Sequence, residues 1–122
     1  MNYSRKGDDW CLDSGCSKHL CANRSLLKNY KTISDGDTIT FGDKAKGRIV
    51  GEGDVISSGL KIGDVSYSQE CKYNLLSISM LCDKGNHVIF RKHSCEIVDD
   101  DSGDIVASGI RVKKIYVLRP SD

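Results

Sequence analysis

Trp10-Cys11-Leu12-Asp13-Ser14-Gly15 is the stretch on which the reading of this chain turns. Three apolar residues run straight into an aspartate, and a small hydroxyl residue and a glycine follow. The apolar part suits a short buried strand. Asp-Ser-Gly suits a tight loop, because Asp and Ser side chains bond to nearby backbone and Gly lets the chain pass close to a neighbour. Taken bare, the tripeptide is an ordinary turn, so its meaning rests on what surrounds it.

Outward from this stretch the pattern is mostly β. Short runs rich in Val, Ile, Thr, Tyr and Phe are divided by Gly, Asp, Asn and Ser, as in a small barrel or sandwich. Residues 23–27 suggest a loop with one helical turn. Residues 38–41 and 47–50 make a hairpin candidate around Gly42-Asp43-Lys44. Residues 55–56, 60–62 and 65–67 read as further short strands, divided by Ser57-Ser58-Gly59 and Gly63-Asp64. One helix is expected, over residues 75–83, with Asn74 as N-cap, Leu75, Ile78 and Leu81 on the buried face, and Gly85 just past its end. Residues 87–90, 95–98, 105–107 and 115–118 follow as four strands, with an acidic turn over 99–103.

The bulk composition sets the limits. A chain of 122 residues fits one domain with a modest core. Lys+Arg (18) and Asp+Glu (17) nearly cancel, so the whole-chain balance gives no reason to expect direct nucleic-acid or membrane-surface binding. No apolar run approaches the roughly 18 residues of a membrane span. The polar start, residues 1–9, lacks the apolar core of a signal peptide, and the expected setting is cytoplasmic. Free thiols are therefore expected at Cys11, Cys16, Cys21, Cys71, Cys82 and Cys95, rather than a disulfide framework. The local cluster Cys11, Cys16, His19 and Cys21 does not have zinc-finger spacing, and structural zinc there is the lesser reading.

Asp13 is the candidate for chemistry. Aspartic proteases need two carboxylates close together that share one proton, one acting as base towards water and the other as acid towards the scissile amide. Each must leave a strand on a tight loop, followed by a small hydroxyl residue and a glycine. Asp101-Ser102-Gly103 repeats the letters but sits in an acidic run with no apolar residue directly before it, and reads as a hairpin turn. A single usable motif points to two-fold symmetry, with one Asp13 from each of two copies.

Read in this light, Trp10-Cys11-Leu12-Asp13-Ser14-Gly15-Cys16-Ser17 resembles the protease segment of copia-type retrotransposon polyproteins. The usual form there is Trp-x-Leu-Asp-Ser-Gly-Ala/Cys-Ser and then a histidine, and His19 and Leu20 match the continuation. A second block, Lys72-Tyr73-Asn74-Leu75-Leu76-Ser77-Ile78-Ser79-Met80-Leu81-Cys82-Asp83-Lys84-Gly85, is similar to the same family. Gly51-Glu52-Gly53-Asp54-Val55 resembles its glycine-rich strand pair, and Ile115-Tyr116-Val117-Leu118 its join to the pre-integrase region. The resemblance implies a small closed β-barrel of retropepsin-like type with one short helix over residues 10–119, between a polar lead (1–9) and a tail (120–122). It implies an aspartic endopeptidase, a hydrolase that acts as a homodimer on its own Gag-Pol polyprotein in the cytoplasm, within virus-like particles. Asp13 would be catalytic, with Ser14 and Gly15 forming the active-site loop, and no metal or organic cofactor is required.

The resemblance also implies a flap, a mobile hairpin over the substrate. It would lie between residues 38 and 55, with Gly42, Gly47, Gly51 and Gly53 as hinges. Retropepsins carry strands before the catalytic loop that are missing here, while a long tail follows the helix, so the tail strands are expected to fill those sheet positions. Cys16 is expected to be a small buried side chain, and His19 to make a structural hydrogen bond rather than bind metal. Lys113 and Lys114 read as edge-strand gatekeepers. The competing reading is a catalytically inactive or adapted β-barrel acting as a binding or structural module.

Overall fold

The strand that delivers Asp13 is β1 (Trp10–Asp13), and every other element can be placed from it. The computed structural model describes residues 9–41, 45–57 and 60–118. Expectations that fall on residues 1–8, 42–44, 58–59 and 119–122 lie outside these. After β1 come β2 (Leu20–Cys21), a 3-10 turn (Arg24–Leu26), β3 (Lys28–Thr32), β4 (Thr38–Phe41), β5 (Ala45–Ser57), β6 (Leu60–Ser68) and β7 (Asn74–Ser77). Then follow α1 (Ile78–Asp83), β8 (Asn86–Phe90), β9 (Ser94–Asp99), β10 (Ile105–Val112) and β11 (Ile115–Leu118).

Consecutive strands usually lie side by side, but β1 and β2 do not. β7 is inserted between them, parallel to β1 with Asp13 level with Ser77, and antiparallel to β2 with Leu20 level with Leu75. The loop over residues 14–19 must therefore cross the C-terminal end of β7. Buried Asn74 fixes this three-strand arrangement: its Oδ1 accepts from the Ala22 N–H at 2.9 Å and its Nδ2 donates to the Asp9 carbonyl at 3.3 Å. Asp9, expected in a polar lead, is thus buried beside the sheet, directly before β1.

The strands run in the order β3-β5-β6-β2-β7-β1-β11-β10-β9-β8, with β4 attached only to β5. The expected closed barrel is not formed by backbone pairing, since the two ends of this order, β3 and β8, do not pair with each other. Side chains wrap the sheet instead. One apolar cluster joins Leu27, Val55, Ile62 and Val65 from one half to Cys95, Ile97, Ala107 and Leu118 from the other, with Trp10, Leu12 and Leu76 also in it. The Tyr116 hydroxyl also reaches from β11 to the Arg91 carbonyl beyond β8, at 2.8 Å.

The tail strands take up the sheet positions expected of them. β11 pairs antiparallel with β1, Trp10 opposite Leu118 and Cys11 opposite Val117, and β10, β9 and β8 continue as a meander. Because β11 lies inside the sheet, Lys113 and Lys114 form its hairpin turn with β10, Lys113 in the left-handed region, and are not edge gatekeepers. The acidic turn between β9 and β10 is where the sequence placed it: Asp99 Oδ1 accepts from the N–H of Asp101 (2.8 Å) and of Ser102 (3.0 Å).

The helix and the strands before it also differ from expectation. The helix starts three residues late, at Ile78, because residues 74–77 are drawn out as β7 by pairing with β1, and its N-cap is Ser77, not Asn74. Leu75 therefore packs from a strand, and only Leu81 of the helix is fully buried. The runs 60–62 and 65–67 are one continuous strand, β6; Gly63-Asp64 is a bulge within it, where the pairing slips between Gly53/Val65 and Val55/Ile62.

Gly51 and Gly53, expected as hinges, are sites of close packing. A Cβ at Gly51 would overlap the Tyr30 ring, and one at Gly53 would stand 2.7 Å from the Lys28 carbonyl oxygen. Gly51→Ala is thus expected to lower stability by about 1–3 kcal/mol, the usual cost of overpacking. The measurement is the urea midpoint at unchanged slope. In a Tyr30→Ala background the same change should cost markedly less, and equal costs in both backgrounds would refute the overlap.

Candidate active site

Asp13 ends β1 half-buried, and Ser14 and Gly15 lie exposed beyond it. The Gly15 N–H donates to Asp13 Oδ1 at 2.7 Å, which holds the carboxylate against its own loop. Among the described residues the other oxygen, Oδ2, accepts no hydrogen bond, so it faces outward as an available base or acceptor. A side chain at position 15 would sit 3.4 Å from Oδ1, so glycine leaves this face of the carboxylate open.

The loop gets its rigidity from behind. Ser77, fully buried, donates through Oγ to the Cys16 carbonyl at 2.7 Å, and the same Oγ accepts the Met80 N–H at 3.2 Å as the cap of α1. The Ser77 N–H donates to His19 Nδ1 at 2.9 Å. The His19 N–H in turn donates to the Met80 sulfur at 3.3 Å, and its carbonyl accepts from the Ser66 N–H at 2.9 Å. Thus the middle and the far end of the loop after Asp13 are bonded to the β7–α1 junction. Ser77 carries this role although the sequence reading passed over it; the legible signal was a serine directly before a helical run.

His19 has the expected structural hydrogen bond, and its ring acts as an acceptor, which requires the neutral form. Burial lowers its pKa from 6.5 to about 4, partly opposed by the negative charge of Asp64. Cys16 is buried with Leu20 and Cys71, and Ile39 of β4 and Leu75 pack on the same cluster. Burial, with Asp13 and Cys71 nearby, raises the Cys16 pKa, and the thiol donates to the Lys18 carbonyl at 2.8 Å. The group is a thiol donor at neutral pH and a poor nucleophile.

None of the six cysteines is in a disulfide. The Cys11, Cys16, His19, Cys21 cluster of the sequence is dispersed: Cys21 enters the main core, Cys16 the smaller one, and His19 turns to Ser77. Among the described residues no three His, Cys, Asp or Glu side chains are placed to hold a metal ion, and no helix is long and apolar enough to cross a membrane. Asp101-Ser102-Gly103 lies at the opposite end of the strands from Asp13, since β10 leaves that turn running in the same direction as β1. The β4–β5 hairpin lies beside the Asp13 loop: Ile39 packs with Cys16, and Lys18 and Asp37 are 3.9 Å apart.

A pH dependence follows from His19. The unfolded ring takes up a proton near pH 6.5, and the folded ring near 4. Between these values the unfolded chain binds more protons, so stability is fully present above the upper value and falls as pH drops towards the lower one. The loss is about 3 kcal/mol at most. Urea midpoints of the wild type and of His19→Gln, measured from neutral pH down to about pH 4, should show the wild-type advantage shrinking over this window. A constant difference would show that His19 does not titrate differently on folding.

Comparison with known proteins matches most of this chain to a family. Residues 10–86, from the strand carrying Asp13 to the start of β8, match the family described as Pol polyprotein, beta-barrel domain. A putative transposon Ty5-1 protein of Saccharomyces cerevisiae is 32% identical over 73 residues, which is 60% of this chain and 49% of that relative. The chain thus spans about half the length of this curated relative. No solved structure matches. With the family match covering well over half of its length, the chain belongs to the Pol polyprotein beta-barrel domains.

Proposed function

We propose that this domain is one half of a retropepsin-like aspartic endopeptidase of the copia type, which cuts its own polyprotein when two copies bring their Asp13 side chains together. The observation that carries the reading is the placement of Asp13: it leaves a strand half-buried, with one oxygen held by Gly15 and the other open, before a loop whose Cys16 and His19 are bonded to buried Ser77. A like-charged pair of such groups shares a proton. The ionised Asp13 takes a proton from water as the water oxygen attacks the scissile carbonyl carbon, and the protonated Asp13 gives its proton to the carbonyl oxygen. Collapse of the resulting diol returns that proton to a carboxylate, passes the other to the amide nitrogen and breaks the C–N bond.

Ser14 supports the paired loops, and Gly15 keeps space beside the carboxylate. The β4–β5 hairpin, attached to the rest only through β5 and resting on the Cys16 cluster, has the position needed to cover an extended peptide. The setting that goes with this reading is the cytoplasm, inside assembling particles. One observation favours a second reading, a non-catalytic β module: among the described residues of one chain, Asp13 has no carboxylate partner, so chemistry depends wholly on a second copy.

The test combines sedimentation with cleavage of the polyprotein that carries the domain. A dimer that cleaves, is blocked by a pepstatin-type inhibitor and loses about 10²-fold or more in rate on Asp13→Asn supports the protease. Equal cleavage by Asp13→Asn defeats the Asp dyad, and a folded chain that never cleaves supports the module.

A further inference from the structure

Charge along the chain is nearly balanced, but the β8–β11 meander separates it by end. The β8–β9 turn holds Arg91, Lys92 and His93, and the β10–β11 turn holds Lys113 and Lys114, with Arg111 beside it. Because β11 runs antiparallel to β1, and β10 and β9 alternate from it, both turns lie at the end of the sheet where β1 delivers Asp13. Asp99, Asp100, Asp101 and Asp104 lie at the other end, in the β9–β10 turn. Five Lys and Arg at one end and four Asp at the other nearly cancel in a whole-chain count.

The basic end is a built surface. Arg111 clips the two turns together: its backbone N–H donates to the His93 carbonyl at 2.9 Å, its Nε to the Lys113 carbonyl at 2.8 Å and its Nη1 to the Lys92 carbonyl at 3.3 Å. The guanidinium is thereby held in a shallow depression lined by Lys92, His93, Arg111 and Lys113. Glu96 neutralises Arg91. Among the described residues, Lys92, Arg111, Lys113 and Lys114 have no carboxylate partner. An aromatic platform adjoins them. Phe90, 44% exposed, meets Tyr116 edge-on at 4.8 Å, and the Arg111 guanidinium lies 5.8 Å from the Tyr116 ring centre.

Unpaired cations around a fixed guanidinium suit phosphate. An exposed ring alongside suits a base, and the two together form a site for single-stranded nucleic acid rather than for an acidic peptide, which has no use for the ring. We propose that this face binds single-stranded nucleic acid, with backbone phosphate in the Lys92, Arg111, Lys113 depression and a base against Phe90. It does not depend on the protease reading, and it revises the expectation drawn from the summed charge.

The test is fluorescence anisotropy of the full chain with a labelled oligothymidylate of about 20 nucleotides, as a function of salt. Binding that weakens with a log–log slope of about −2, as for three phosphates, is expected. The Lys92→Gln, Lys113→Gln double variant should bind about tenfold or more weakly, with a slope shallower by about 0.7 per lysine removed. Phe90→Ala should lose about fivefold or more, whereas Lys61→Gln, on β6, should bind like the wild type. No binding at about 50 mM salt, equal binding by the double variant with its circular dichroism unchanged, or competition by an oligoglutamate peptide at concentrations matching the oligonucleotide would each overturn the proposal.

Discussion

Insertion of β7 between β1 and β2 is the constraint from which the rest of the molecule follows. Two strands joined by a six-residue loop, residues 14–19, would ordinarily pair directly. Here they are held apart by a strand that arrives more than fifty residues later, and the loop has to pass over its end. Such a crossing buries backbone groups that cannot reach water, and each needs a partner. Ser77 and His19 supply them: the Ser77 N–H, the Ser77 hydroxyl and the Cys16 carbonyl are all satisfied within one buried network. A network of this kind is stabilising only when complete. Its completeness is what makes the position of Asp13 a property of the core rather than of a flexible loop.

The remainder of the sheet is organised around this crossing. On one side β2 leads to β6, β5 and β3, where glycines in β5 let Tyr30 lie against the strand. On the other side β1 leads to the β11–β8 meander. The halves share one apolar cluster, so the long ladder bends around a common interior although its outer strands do not meet. A hydrophobic core of this size is non-directional and closes a surface without needing the last row of hydrogen bonds.

Much of this was legible in the sequence, for identifiable reasons. Trp10-Cys11-Leu12 gave β1 because a short apolar run before Asp-Ser-Gly has few other solutions, and the acidic turn was marked by its own turn chemistry. The location of Asp13, Ser14 and Gly15 at the end of a strand was equally readable. Residues 74–77 were misread because Leu75, Ile78 and Leu81 have helical spacing, while the force that extends the first four is pairing with a strand sixty residues away. Asn74 was taken for a cap since its side chain bonds backbone; it does so, but across strands. The distribution of charge was invisible to a sum, since β-hairpins send neighbouring turns to opposite ends of a sheet. A closed barrel was expected from the family resemblance, which does not report on how the outermost strands of this chain meet.

Trp10 stands opposite Leu118 on neighbouring strands, so the described fold takes in its chain and lets it go at almost the same point, about 5 Å apart. A folded unit with that property can be spliced into a longer polypeptide without pulling its flanks apart, much as a loop can be tied into a thread. Strain applied along such a thread would load the β1–β11 contact first. Conversely, any neighbour attached on either side would find itself beside the same short stretch of sheet, close to the other's point of attachment.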